Sequence, residues 1–406
     1  MGHKKVLFLI TTSNPNDPRM NYSLFSQLLN HLPKNIVEKA VDTFGTDKHS
    51  KGISTFNHLV SMLFCQLASA QSLRDISNGL NSATGNLNHI GMDFAPSKSS
   101  LSYLNMHRDW RVFEAIYYLL FEHYFSIFKQ KHFRIQAKIQ LLDASIVSLC
   151  LEAFDWAHFR AAKGGIKLHT VLDYDSCMPS YLNITEAKVH EAKVAKDIIL
   201  PIGSVVVADR GYLDFDLMQK WDTNKVRFVV RSKNNIKYQT EKQLPVPSPK
   251  EGKPVRILAD EKVVVNGYTK PLRMVLVRVL DDNGYETELE LLTNNFTWTA
   301  ETIAELYKQR WHIEIFFRDI KRHLKIKSFV GTSENAVLIQ IWTALISMLL
   351  LKVLKQKAKH KWCLSSLVFF LRLNIFVKID LSHWLNAPFT TPNPKPPKVQ
   401  GQLFLF

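Results

Sequence analysis

The chain has 406 residues, is 46% hydrophobic and carries 52 Lys and Arg against 36 Asp and Glu, a formal net charge of +16. That length allows two to four structural units around a sizeable core, and the apolar fraction is that of an ordinary globular protein. Four well-separated cysteines, Cys65, Cys150, Cys177 and Cys363, form no CxxC pair, which argues against a zinc site or a disulfide framework and for a reducing compartment. The excess positive charge says nothing of the fold. It points to a polyanionic partner, nucleic acid first, with solubility as the alternative reading.

The first residues, Met1-Gly-His-Lys-Lys, run into Val6–Ile10, an apolar run too short for a signal peptide and followed by no small-residue cleavage site. Residues 1–19 therefore read as an extension outside the fold. Residues 20–130 read as a helical N-terminal domain, with apolar residues at helical spacing in Leu24, Phe25, Leu28, Leu29 and Leu32 and again in Phe56, Leu59, Val60, Leu63 and Leu67. The stretch 72–79 predicts a short helix ending at Gly79, and Pro96-Ser-Lys-Ser-Ser opens another with a polar first turn. Such a turn can sit on DNA phosphates, or the segment is a plain helical bundle.

From residue 138 the texture becomes that of strands. Segments 139–149, 165–172 and 179–187 predict three strands, the last two joined by a hairpin turn at 173–179. Residues 186–200 read as helical. Ser204-Val-Val-Val-Ala-Asp-Arg-Gly-Tyr212 predicts a buried strand ending in a turn, with a helix after it. Residues 226–295 form a β-rich block with strands at 226–230, 255–258, 273–280 and 287–292 and a proline-rich loop at 245–254. A long helix is expected from about Ala300 to Lys325. The apolar run 336–351 is shorter than the roughly 20 residues of a membrane span and predicts a buried core helix, with no membrane partner. Lysines crowd 352–361, residues 362–379 are apolar again, and 392–402 read as a tail. The order predicts a mixed α/β sheet flanked by helices. Its parts are a core split into 131–225 and 296–355, a β domain inserted at 226–295, and a C-terminal segment at 356–406.

Asp143 lies in the middle of an apolar strand, where a lone carboxylate is costly unless paired or metal-bound. Asp209 ends an apolar strand, where it can share a ligand site or simply make a turn. On the long helix Tyr307, Arg310, Glu314 and Lys321 stand at offsets that, at roughly 100° per residue, fall within an arc of about 60°. Arg318 and Lys325 lie near the same face, and Leu306, Ile313, Phe317, Ile320 and Leu324 form the stripe beside it. One carboxylate among so many cations suggests a metal ligand set among phosphate-binding groups; a solvated face of ion pairs is the alternative.

The spacing Tyr307-x2-Arg310-x3-Glu314-x6-Lys321, with Leu142-Asp143-Ala-Ser and Ala208-Asp209-Arg-Gly-Tyr212, resembles the signature of bacterial insertion-sequence DDE transposases with a ribonuclease-H-like core. The resemblance spans about residues 138–350. It implies a ribonuclease-H-like mixed sheet with a β domain inserted before the Glu helix. It also implies an acidic triad of Asp143, Asp209 and Glu314 holding two Mg2+ ions, with Mn2+ able to substitute, and cut-and-paste transposition of the element that encodes the chain. Two such ions about 3.5–4 Å apart can activate a nucleophile and stabilise a leaving oxygen. Tyr307, Arg310 and Lys321 are then expected on DNA phosphates, with Arg318, Lys325 and Arg210 as further DNA-binding candidates. Trp298 can stack on an unpaired base or pack in the core. Lys167 and His169 can contact DNA or simply stand at the surface. The partners expected are double-stranded DNA, both the inverted-repeat ends and the target, and a second copy of the chain in a homodimeric DNA complex. The setting expected is the bacterial cytoplasm, at the nucleoid. A nuclease or resolvase on the same fold, and a non-catalytic DNA-binding descendant, are the competing classes.

Overall fold

The computed structural model describes residues 22–390 except 49, 51, 84, 129–132, 134, 151–153, 155, 157, 161–162, 234–235, 247–254 and 281–285. The expected extension at 1–19, most of the proline-rich loop and the tail lie outside the described residues. The N-terminal part is helical, as its periodicity predicts: α1 (Leu24–Leu29), α2 (Lys34–Phe44), α3 (Thr55–Ala68), α4 (Leu73–Ser82), α5 (Lys98–His107) and α6 (Arg111–Tyr124). Ser23, Ser54, Ser72 and Ser97 each accept a bond from the backbone N–H three residues on, satisfying donors that a helix start leaves unpaired. Helix α4 does not end at Gly79 but runs on to Ser82. A Cβ at Gly79 would lie 2.7 Å from the Phe64 ring, so this glycine allows α3 and α4 to approach closely and is not a stop signal.

The strands are β1 (Ile139–Leu149), β2 (His158–Arg160), β3 (Lys163–Asp173), β4 (Met178–Glu186), β5 (Val205–Ala208), β6 (Arg227–Arg231), β7 (Tyr238–Gln243), β8 (Val255–Val265), β9 (Leu272–Leu280) and β10 (Glu286–Thr293). They form one sheet in the order β2-β3-β1-β5-β6-β10-β9-β8-β7, with β4 also on β3. Strand β3 is antiparallel to β1 and β4, while β5 is parallel to both β1 and β6. This is a mixed sheet, as the order of elements in the sequence predicts. Strand β6, which opens the β-rich block in the sequence, is thus part of the central sheet, and β10 joins it antiparallel. The block continues the sheet edgewise. Strands β2 and β7 carry no alternating apolar pattern, and nothing in the sequence reading anticipates them.

Seven more helices are described: α7 (Glu191–Ala195), α8 (Phe215–Thr223), α9 (Ala300–Gln309), α10 (Trp311–His323), α11 (Glu334–Lys357), α12 (Leu364–Leu373) and α13 (Leu381–Asn386). Two expectations need correction. Only α7 is helical within 186–200, and the helix expected over 300–325 is broken at Arg310, where N–H bonds reach back three residues, Arg310 to Tyr307 and Ile313 to Arg310.

Period-2 alternation assigns each strand residue to a face. In β5, Val205 and Val207 pack with the N-terminal helices, α9, α10 and α11, while Val206 and Ala208 pack with α7 and α8. Helices on both faces explain why all four residues are apolar. Helix α11 has the length and hydropathy of a membrane span, yet 94% of its most apolar window is buried against protein. A helix apolar all round belongs in a core of this kind. Its buried Gln340 donates to the carbonyls of Lys325 and Ser328 and accepts from Val330 N–H, and Gln66 Oε1 accepts from Lys325 N–H. These two glutamines fix the exit of α10 against the core.

In the edgewise extension Arg273 and Asp260 make a buried bidentate pair, Nε to Oδ1 at 2.8 Å and Nη2 to Oδ2 at 2.6 Å, and Arg273 Nη1 donates to Trp298 O. The pair ties β8 and β9 to the chain that leads into α9. Asp260→Ala strands the guanidinium without its partner and is expected to cost about 3–5 kcal/mol. Urea unfolding measures this, and a loss under about 1 kcal/mol would show that the pair does not hold the extension.

Candidate active site

The site begins with strand register. Leu142 on β1 pairs with Ala208 on β5, so Asp143 and Asp209 each follow the last paired residue of adjacent parallel strands. Both lie on the face shared with Leu141 and Val207, under α9 and α10. Asp143 Oδ1 accepts from Ala144 N–H at 2.8 Å, and Asp209 Oδ1 accepts from Gly211 N–H at 2.8 Å, opening a single 3-10 turn at Arg210–Tyr212.

The break between α9 and α10 puts Arg310 at the joint. Its Nη1 donates to Asp143 Oδ2 at 3.1 Å and its Nη2 to Glu314 Oε1 at 2.5 Å, so one guanidinium spans the strand carboxylate and the helix carboxylate. Farther along, Lys321 Nζ donates to Ser145 Oγ at 2.7 Å and to Ile146 O at 2.8 Å. Arg310, Glu314 and Lys321 therefore lie along β1 from Asp143 to Ile146. Tyr307 is buried on the same side, with Arg310 5.8 Å from its ring centre. The shared face read from the sequence survives the break in the helix.

Burial dominates the electrostatics. It pushes the Asp143 carboxyl up to about 7; the Ala144 N–H and Arg310 oppose this, and the negative charges of Asp209 and Glu314 add to it. Among the described residues no three His, Cys, Asp or Glu side chains are gathered closely enough to hold a metal as they stand. Arg310 accounts for this at the Asp143–Glu314 pair, because its guanidinium stands between the two carboxylates where a cation would bind. The donors suit a hard divalent ion, since they are carboxylate oxygens and the place already attracts positive charge.

Other candidates fall elsewhere. Lys325 is buried and donates to Gln71 Oε1, which makes it a link to the N-terminal helices and not part of an open basic face. His169 is buried, bonded to Thr185 Oγ1 and pushed down to about 4 by burial and Lys167, so it stays neutral and cannot bind phosphate as a cation. Lys167 is also buried, and its ammonium is taken by Val189 O and Glu191. Arg210 and Arg318 are exposed, the latter 3.5 Å from Asp319. Trp298 is half-buried against the core with Arg227 5.5 Å from its ring centre. Ser145 was not singled out in the sequence. Its position two residues beyond Asp143, on the same face of the strand, is the signal that would have found it.

A family profile described as "Transposase DDE domain" matches residues 134–350, more than half of the chain and all of the elements that build this site. The chain belongs to the DDE transposase family. A second profile, a domain of unknown function (DUF4372), matches residues 20–93, from the start of the helical part through α4. The protein named transposase y4zB of Sinorhizobium fredii is 32% identical over 64% of this chain and 72% of its own length. A Geobacillus stearothermophilus protein named as transposase for insertion sequence element IS5377 is 29% identical over 60% of this chain and 64% of its own. One of Synechocystis named for the element IS4SA is 27% identical over 71% and 80%. Among solved structures, the piggyBac transposase synaptic complex with hairpin DNA covers 92% of this chain and 83% of its own, at a TM-score of 0.42 and 9% identity, too slight a likeness to bear on function. Membership makes this transposase an enzyme that cleaves and joins DNA strands with divalent metal ions.

The raised carboxyl of Asp143 has a consequence for stability. Its value rises from 3.8 to about 7 on folding, so between those pH values the native state holds more proton than the unfolded chain. The stabilisation from this group is complete below about pH 4 and is lost as pH climbs to about 7. Urea unfolding of metal-free transposase in chelator should therefore show stability falling across that window, and Asp143→Asn should flatten the slope. An unchanged slope in the variant would assign it to other groups.

Proposed function

We propose that the transposase moves its own insertion sequence by cut-and-paste, with Asp143, Asp209 and Glu314 as the triad for two Mg2+ ions, for which Mn2+ can substitute. The observation that carries this reading is the Arg310 guanidinium spanning Asp143 and Glu314, beside an Asp209 set in parallel register with Asp143. When bound, the ions supply an activated water or 3′-hydroxyl and a charge opposite the leaving oxygen. The protein's own groups hold the substrate. Arg310 sits within reach of a phosphate at the site, and its planar fork suits two phosphate oxygens once metal takes over the carboxylates. Lys321 extends the same line along β1, and Tyr307 backs Arg310. Arg318 is exposed one helical turn beyond Glu314 and Arg210 is exposed next to Asp209, and Trp298 lies before α9, where it can meet an unstacked base.

The DNA partners are the inverted-repeat ends of the element and the target duplex, in the bacterial cytoplasm at the nucleoid. Helix α5 supports end recognition by the helical domain, because Ser97, Lys98 and Ser99 are exposed at its start and Tyr103 and Met106 along it. Two ends and one triad per chain call for a homodimer in the DNA complex. One face of α12 is buried core, and the other exposes Phe369 and Leu373, apolar side chains suited to a second copy.

Glu314→Gln keeps the side-chain shape and removes the charge. Cleavage of element ends should fall on the order of 10³-fold or more, while gel-shift binding to the same ends stays within about threefold, because Lys and Arg contacts elsewhere carry affinity. Wild-type cleavage in the variant would remove Glu314 from the site. Mass measurement of the cleavage-competent complex should find two chains with two DNA ends; a single chain with two ends would rule out the dimer.

A further inference from the structure

The ion-pair neighbour of the buried Lys167 leads beyond the triad. Glu191 is the first residue of α7, which packs against the turn after Asp209. Its Oε1 takes Lys167 Nζ at 3.2 Å, and Lys167 is almost fully buried while Glu191 is about one-third exposed. Gly211 lies between Glu191 and Asp209. A Cβ there would stand 2.8 Å from Glu191 Oε2 and 3.0 Å from Asp209 Oδ1, so the two carboxylates flank the same small space, which any larger residue would fill.

A second feature stands in the same turn, next to Gly211. Tyr212 is 1% exposed, yet its hydroxyl has no hydrogen-bond partner, a costly state for a buried polar group. Burial, followed by the negative charges of Asp143, Glu191 and Asp209, drives the hydroxyl well above its usual range. One buried, unpaired hydroxyl thus lies within the electrostatic reach of three carboxylates from three different elements. A hydrated cation among them would give that hydroxyl a water to bond, and the carboxylates the charge they lack.

We propose that Glu191 is a fourth carboxylate of the divalent-cation site, on the Asp209 side, and that the Lys167 ammonium is the counter-ion it gives up when the cation binds. The inference rests on the reading of Asp143, Asp209 and Glu314 as the metal site. Arg310 and Lys167 then play parallel parts, one between Asp143 and Glu314 and the other on Glu191. Each is a protein cation standing where metal charge is later supplied.

The test is Mn2+ binding to the full-length transposase without DNA, read by calorimetry and by the rise in melting temperature with added Mn2+. Glu191→Gln should weaken binding roughly 10–100-fold and shrink the Mn2+-induced rise. Lys167→Met removes the competing ammonium and should strengthen binding severalfold. Opposite signs for the two variants support the proposal, because a purely structural ion pair predicts that both lower the metal-free melting temperature and leave affinity alone. Unchanged affinity in Glu191→Gln overturns it, and so does equal weakening by both variants. Asp209→Asn separates the two layers. If it abolishes binding while Glu191→Gln leaves affinity unchanged, Glu191 alone is excluded; if it too binds Mn2+ normally, the triad reading falls and the fourth carboxylate with it.

Discussion

A carboxylate placed on the central strand of a covered sheet is the constraint around which the rest of the molecule is arranged. Asp143 cannot carry its charge there unaided, because burial disfavours the ionised form and Asp209 and Glu314 disfavour it further. The compensation comes from a distant part of the chain. Arg310, 167 residues later, reaches the carboxylate because α9 and α10 meet at a break over the middle of β1. The site is therefore as reliable as the placement of that joint.

Several devices hold the joint in place, and none of them touches the acidic groups. The Arg273–Asp260 pair fastens the chain before α9 through Trp298 O. Gln66 and Gln340, buried and fully engaged, fasten the chain after α10 to α3 and α11. Helix α11 is apolar enough for a bilayer and spends that character inside the protein, where it joins the helical part to the sheet. The edgewise β extension and the N-terminal helices thus act as a frame for one helix-to-strand approach. Buried polar side chains do the local fixing, because a satisfied buried amide allows few alternative arrangements.

The positive charge of the chain falls into two functional sorts. Arg310 and Lys167 are turned inward onto carboxylates, where they neutralise the site. Arg210, Arg318 and the start of α5 face outward, open to solvent. A basic composition is compatible with either use, and burial alone sorts one from the other.

Read without a structure, the chain already disclosed its class and singled out Asp143, Arg310, Glu314 and Lys321, which the structure brings together along β1. The spacing of Tyr307, Arg310, Glu314 and Lys321 is a helical repeat, and local periodicity survives any tertiary arrangement short of unfolding. Asp143 and Asp209 stood out because a charge in or at the end of an apolar strand is anomalous. The N-terminal helices and most strands were legible for the same reason, since their apolar periods of 3.6 and 2 are properties of the segment itself. What the sequence left open depends on contacts between distant segments. Whether Gly79 ends a helix or admits Phe64, and whether Lys325 faces DNA or Gln71, are decided by the neighbour and not by the residue. The break at Arg310, the union of β6 with the central sheet and the approach of Glu191 to Asp209 across Gly211 belong to the same class. Each requires two stretches of chain to meet, and a pattern confined to one stretch carries no information about the other.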